Sequence, residues 1–298
     1  MLETPEPAPP VPLFRERVEG VWKEAHFDRY KPSTRKGVRT RIQDRLLPAF
    51  GNEPLDRIAP AEVRKWFHAW SRTAPGGANK GLELLRQIMN FAIARGYIEN
   101  NPTRDIRPNR RPKLTRFLSR EEIARLHRAL DAEAGKGRRQ QADIIGLLLL
   151  TGCRRGEILG LRWSEVRDDM LALADSKTGP RRVPLNAQAR RILDRQSRAG
   201  SPFVFPSPRD PSRPRGGMLS LWYRVRREAG IEDVRLHDLR HTHASHAVMN
   251  GVPIPVVSRM LGHSNVRMTL RYADLGDQEI EEAAEKVGQA IAAMMGLP

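Results

Sequence analysis

Apolar residues recur every three to four positions through much of this chain, the period of an amphipathic helix. Val18, Val21 and Trp22 form a first stripe, and a second helix is predicted from about Ser33 to Leu47. Pro60-Ala61-Glu62 opens a third, which carries Val63, Trp66, Phe67 and Trp70. The fourth is the clearest: Leu82, Leu85, Ile88, Met89 and Ala92 share one face, and Gly96 supplies a stop. Together these four short helices predict a small helical domain over residues 13–106. Ahead of it, Pro5, Pro7, Pro9, Pro10 and Pro12 suit an extended tail over residues 1–12.

Periodicity lapses over residues 107–116, where Arg107-Pro108-Asn109-Arg110-Arg111-Pro112-Lys113 is basic and broken by proline. This reads as a linker, either a solvated connector or a strap on a polyanion. A second domain follows over residues 117–298. Ser119-Arg120-Glu121-Glu122 is a capping box, with Ile123, Leu126 and Leu130 behind it on one face. Ile144 to Leu150 is almost wholly apolar, which predicts a helix buried on all sides. Met170–Ala174 and Arg182–Leu185 are the strand candidates, joined by the turn Asp175-Ser176-Lys177-Thr178-Gly179-Pro180. Helical patterns resume after Asn186, around Trp222, from His237, from Pro255 and through Met268–Tyr272, and the last runs from about Gln278 to Met294. The fold class is therefore mainly α with a small β-sheet, a helical domain followed by a mixed α/β domain.

Composition narrows the partners. The chain has 298 residues, 39% of them apolar, enough for about two domains with buried cores. Its net charge of +17 implies a polyanionic partner or an acidic surface. The preponderance of arginine favours bidentate phosphate recognition. A single cysteine excludes an internal disulfide framework and fits a reducing compartment. No apolar run approaches the ~20 residues of a membrane span, and the opening Met1-Leu2-Glu3-Thr4-Pro5 lacks the regions of a signal peptide. These observations predict a cytoplasmic, nucleoid-associated protein that binds nucleic acid.

The chemistry-bearing residues lie in the second domain. They read Thr151-Gly152-Cys153-Arg154-Arg155-Gly156-Glu157, Ser176-Lys177-Thr178-Gly179, His237-Asp238-Leu239-Arg240-His241, Leu261-Gly262-His263 and Leu270-Arg271-Tyr272. Two arginines, a lysine and two histidines suit a phosphodiester attacked by a tyrosine. Such cleavage gathers negative charge on the non-bridging oxygens, takes a proton from the nucleophile and gives one to the leaving oxygen. Over Arg116 to Tyr272 this ordered series resembles the tyrosine recombinases, also called the phage integrase family.

The resemblance implies roles. Arg154 is the first member of a phosphate clamp; position alone leaves Arg155 a competitor, and only the family pattern selects Arg154. Arg240 completes the clamp, and His237, three residues earlier, is a proton acceptor or orienter. Lys177 is the general acid for the leaving 5′ oxygen. His263 donates to the phosphate, and Tyr272 is the nucleophile. A free phenol titrates near ~10, so Tyr272 needs the field of Arg154, Arg240 and Lys177 to act at neutral pH. Glu157 reads as a structural partner that orients a clamp arginine. The resemblance also implies a SAM-like helical core-DNA-binding domain before the catalytic domain, closing as a C-shaped clamp on duplex DNA. It further implies a homo-tetramer on two recombination sites, with accessory DNA-bending or directionality factors, and no cofactor.

Rival readings use the same residues. His237 and His241 at i and i+4 resemble a zinc motif. Arg240 on the same face opposes a dication, so no metal is assigned, and His241, His243 and His246 read as packing or polar helix residues. Ile254 to Tyr272 also fits a helix-turn-helix with Gly262 in the turn, the mark of a non-enzymatic DNA-binding regulator. Cys153 beside Arg154 is a packing residue or an oxidation-sensitive thiol. The acidic helix bearing Glu279, Glu281, Glu282 and Glu285 packs on its own domain or docks on a neighbouring protomer. About twelve residues precede the first helix, too few for the arm-binding domain many phage integrases carry. That implies action at simple core sites or a truncated chain. Integration and excision of a mobile element is preferred over resolution of replicon dimers.

Overall fold

The computed structural model describes residues 11–110, 116–174, 176, 179–198, 200–275 and 280–295. The chain divides into two compact units, Met1–Lys113 and Leu114–Pro298. Among the described residues no helix is long and apolar enough to cross a membrane.

The first unit is helical. Short turns run from Phe14 to Arg29, followed by helices Pro32–Arg41, Pro60–Ser71 and Pro75–Ala94. Each of these three starts on a proline, whose missing N–H costs nothing in the first turn. The helical run beginning at Pro32 continues through Ile42–Leu46 to Leu47–Phe50, beyond the predicted end. Phe14, Trp22, Phe67, Leu82, Leu85 and Met89 are fully buried at its centre.

The fourth helix begins earlier than its leucine stripe suggests. It opens at Pro75, and its first turns hold Gly81, where an added Cβ would stand 2.2 Å from the Trp70 ring. The missing side chain lets the indole lie against the helix backbone. Of the predicted tail, residues 1–10 lie outside the described residues, whereas Pro12 is buried and its carbonyl accepts from Leu55 N–H at 3.2 Å. In the predicted linker, Asn109 is anchored to buried Asn79 by three hydrogen bonds of 2.7, 2.8 and 3.0 Å, while Arg107 and Arg110 stay exposed. Residues 111–115 lie outside the described residues.

The second unit packs helices around a small hairpin. Ser119 and Glu122 form the expected reciprocal cap, each satisfying the other's backbone N–H. Strands Met170–Leu173 and Arg181–Pro184 pair antiparallel with Leu171 opposite Val183, both buried. The turn between them includes Asp175, Lys177 and Thr178, which lie outside the described residues. Helices Arg139–Thr151 and Asp238–Met249 pack on one another at the centre of the unit. Ile144, Ile145, Leu147 and Leu148 are buried as expected, but Leu149 and Leu150 are only partly covered. They line an apolar groove with Ile123 and Ile192, so this helix is not enclosed on every side.

Helix Ile254–Leu261 ends at Gly262, and the following residues form only 3-10 turns, Val266–Met268 and Leu270–Leu275. No second α-helix follows Gly262 until Ile280 among the described residues, so the predicted helix-turn-helix is absent. The local cause is Asn265, whose side chain accepts from Arg267 N–H at 2.9 Å and starts a tight turn. The last helix, Ile280–Met294, exposes Val287, Ile291 and Met294.

Candidate active site

Two helix ends build the site. Helix Arg139–Thr151 stops at Gly152 (φ +62°) and helix Ile254–Leu261 at Gly262 (φ +63°). Both residues adopt the left-handed conformation that glycine takes at little cost. Space demands glycine as well: a Cβ on Gly152 would reach 2.7 Å from the His243 ring, and one on Gly262 would reach 2.5 Å from Arg181 Cδ. Helix C-termini leave carbonyls unpaired and carry partial negative charge, so they suit a guanidinium.

Arg240 bridges the two ends. Its Nη1 donates to the Gly152 carbonyl at 2.7 Å and its Nη2 to the Leu261 carbonyl at 2.5 Å. It is 4% exposed, so it is not a surface arginine. Burial, then the cations of Arg154 and Arg181, push its pKa down to about 10, which still leaves it charged at neutral pH. Arg154 reaches the same turn, where its Nη2 donates to the Gly262 carbonyl at 3.2 Å.

Glu157 orients Arg154, as its spacing predicts. It accepts from the Arg154 backbone N–H at 2.8 Å and from Arg154 Nη1 at 2.9 Å. It also accepts from Arg181 Nη2 at 2.7 Å. Burial alone would raise the Glu157 pKa; the hydrogen bonds from Arg181 and Arg154 reverse the sign and hold it below the ordinary carboxylate range. Arg155 is exposed, whereas Arg154 is fixed on both sides.

The histidines surround this pair. His237 stands at the start of helix Asp238–Met249 and, with Arg155, Arg240 and Cys153, lines a cavity of about 200 Å³. Its pKa is lowered by burial and then by Arg240. His263 Nδ1 lies 2.8 Å from the hydroxyl of buried Thr269. When Nδ1 accepts that bond, the neutral ring carries its proton on Nε2, ready to donate. Burial, then Arg240 and Arg154, push His263 down to about 4.

Tyr272 is 5% exposed and packs on Ala244, Val248, Val257 and Leu261. Its hydroxyl lies 2.5 Å from His241 Nδ1. The expected depression of its pKa is not found. Burial raises it, and Arg271 and then Arg240 only partly oppose that shift. In the DNA-free protein Tyr272 is therefore a protonated phenol. Cys153 is buried and burial pushes its thiol up, which removes the thiolate that an oxidation-sensitive residue needs.

Arg154, His237, Arg240, His263 and Tyr272 thus gather within one unit, while Lys177 lies outside the described residues. Two neighbours escaped the sequence reading. His241 was read as a packing or polar residue, although its i+4 spacing from His237 places it on the same face. Arg181 was not singled out; the signal was a cation directly after the lysine-bearing turn, in a strand that must be half buried. Among the described residues no three His, Cys, Asp or Glu side chains gather as a metal site, and His241 Nδ1 is turned to Tyr272.

Residues 116–279 match the family model described as the phage integrase family, and residues 15–109 match the phage integrase central domain. A tyrosine recombinase of Thermosipho africanus is 28% identical over 276 residues, covering 88% of this chain and 96% of that protein. The integrase of Salmonella phage P22 is 33% identical over 162 residues, 49% of this chain and 42% of that one. A lambda integrase tetramer bound to a Holliday junction shares the fold with a TM-score of 0.69 at 19% identity, covering 85% of this chain and 78% of that chain. The chain belongs to the phage integrase family, the tyrosine recombinases that cleave and rejoin DNA.

Proposed function

We propose that this recombinase integrates and excises a phage or other mobile element through a 3′-phosphotyrosyl intermediate, with Tyr272 as its nucleophile. The observation that carries the assignment is Tyr272 itself: a buried phenol, hydrogen-bonded to His241 and within the field of Arg240, in the unit that holds both clamp arginines. The Tyr272 oxygen attacks the scissile phosphorus, and the bond to the 5′ oxygen breaks. Arg154 and Arg240 offset charge on the non-bridging oxygens, where preorganised donors act most strongly. His263 donates through Nε2 to the same oxygens. Lys177 gives the leaving 5′ oxygen its proton. His237 orients its neighbours on the clamp face. The phosphotyrosine conserves the bond energy, so a 5′-hydroxyl from the partner strand reverses the step without ATP.

Double-stranded DNA is the substrate, and the net charge of +17 supports binding to its backbone. Four protomers act on two sites; the lambda integrase tetramer on a Holliday junction supports that arrangement by analogy of fold. Likeness to the P22 integrase supports a mobile-element role.

The test uses duplexes spanning the ends of the element, with a nick that lets the cleaved 5′ fragment diffuse away. Wild type should accumulate a denaturation-resistant adduct at one 3′ end, and Tyr272→Phe should bind equally and form none. Strand exchange between two such duplexes distinguishes recombination from mere relaxation. Equal adducts from both proteins would refute the nucleophile assignment.

A further inference from the structure

We infer that His241, rather than His237, takes the proton from Tyr272 during attack, through its Nδ1. The inference rests on the reading of Tyr272 as nucleophile and deepens it. Nδ1 lies 2.5 Å from the Tyr272 hydroxyl, so with the ring proton on Nε2 it already accepts the hydrogen bond whose proton must leave. The ring belongs to the central helix Asp238–Met249, while Tyr272 arrives from the 3-10 turn Leu270–Leu275. The proton therefore crosses between two elements, from a short turn to a packed helix. His237 meets His241 edge to face, with ring centroids 5.3 Å apart, and holds it in orientation.

The state of the ring also fits. Burial, then His237 and Arg271, push His241 down to about 4, so in the free protein it is a neutral acceptor. Asp238 opposes that shift and Arg235 adds to it. The incoming phosphodiester brings negative charge beside the ring and favours its protonated form. As the bond from Tyr272 Oη to phosphorus forms, the Oη–H bond breaks and the proton moves to Nδ1. The bond from phosphorus to the 5′ oxygen breaks, and that oxygen takes a proton from the general acid, Lys177 in the reading above. On rejoining, a 5′-hydroxyl loses its proton to that acid's conjugate base, and Nδ1–H returns its own to the departing phenol.

His241→Gln retains a hydrogen-bond acceptor but no base. Single-turnover cleavage of the nicked duplex is measured with Tyr272 natural or replaced by the more acidic 3,5-difluorotyrosine. A second duplex carries sulfur in place of the 5′ bridging oxygen. His241→Gln should cleave about 100-fold more slowly with unchanged DNA binding. The fluorinated phenol should restore roughly ten-fold or more, and the sulfur substrate should restore nothing, because its leaving group needs no acid. His241→Asn repeats the test if the glutamine lowers the melting temperature. A wild-type rate in the variant, equal slowing with both phenols, or rescue by sulfur would each overturn the assignment. Wild type that forms no adduct would overturn this inference together with the nucleophile reading. Adduct formation in wild type with His241→Gln unaffected overturns this inference alone.

Discussion

Arg154 and Arg240 donate to consecutive carbonyls of one turn, Arg154 to Gly262 and Arg240 to Leu261. The turn that ends helix Ile254–Leu261 thus fixes both guanidinium groups, and His263 is its next residue. Two cations of like charge stay together because each sits at a helix C-terminus and Glu157 lies between Arg154 and Arg181. Both forks are thus held in place by the protein itself.

Arg240→Lys keeps the charge but cannot bridge the Gly152 and Leu261 carbonyls with a planar fork. Cleavage in a single turnover should fall by about 100-fold or more, as for loss of a transition-state donor. DNA affinity by gel shift should change little by comparison. Leaving one buried carbonyl unpaired should also cost about 1–3 kcal/mol in urea unfolding. A lysine variant with full activity would show that the bridging geometry is unimportant.

Glu157→Ala should be more damaging to the fold than its size suggests. The Glu157 side chain is 5% exposed, and its removal leaves the Arg181 side chain, 7% exposed, without its anionic partner. Breaking such a buried pair by removing one partner costs about 3–5 kcal/mol. Urea unfolding measures it, and Glu157→Gln should lose less, because the amide oxygen still accepts one donor. Equal losses would mean that charge, not hydrogen bonding, holds the arginines.

Stability of the DNA-free protein should fall with acid between about pH 6.5 and about pH 4. His241 and His263 titrate near 4 when folded and near 6.5 when unfolded. In that window the unfolded chain binds more protons, so their contribution is complete above the upper value and is lost as pH drops. Each kcal/mol lost lowers Tm by ~2–4 °C in a domain of this size. A fall at least that large is expected, and a smaller one in the double variant His241→Gln, His263→Asn. A flat profile would place both rings in water.

Arg107 and Arg110 flank the anchored Asn109 and point to a backbone strap on DNA. Each phosphate contact contributes about −0.9 to the slope of log affinity against log salt. Replacing both by alanine should therefore reduce that slope by nearly ~2 if each touches a phosphate, and leave sequence preference intact. An unchanged slope would make this segment a plain connector.

Much of the fold was legible because helical spacing reports burial directly, as with Leu82, Leu85, Ile88, Met89 and Ala92. What spacing could not report were contacts distant in sequence. Asn79 and Asn109 read as ordinary polar residues, yet their mutual hydrogen bonds tie a predicted linker to a helix 30 residues away. Ile254 to Tyr272 misled for a different reason. Apolar residues in 3-10 turns keep nearly helical spacing, so Met268 and Tyr272, four residues apart, resembled a second helix. The ordered motifs named Arg154, Arg240 and Tyr272, which the fold brings into one unit, but the burial that keeps the phenol protonated is a tertiary property. The contact of His241 with Tyr272 was not legible, because no pattern along one helix discloses which atom a ring faces.

The central claim is that Tyr272 carries the DNA. The most direct test is to trap the adduct on nicked duplex, digest both components, and locate the nucleotide-bearing peptide by mass spectrometry. The account predicts a single phosphodiester-linked residue, Tyr272, joined to a 3′ end. Attachment at Tyr223 or another residue, or to a 5′ end, would contradict it.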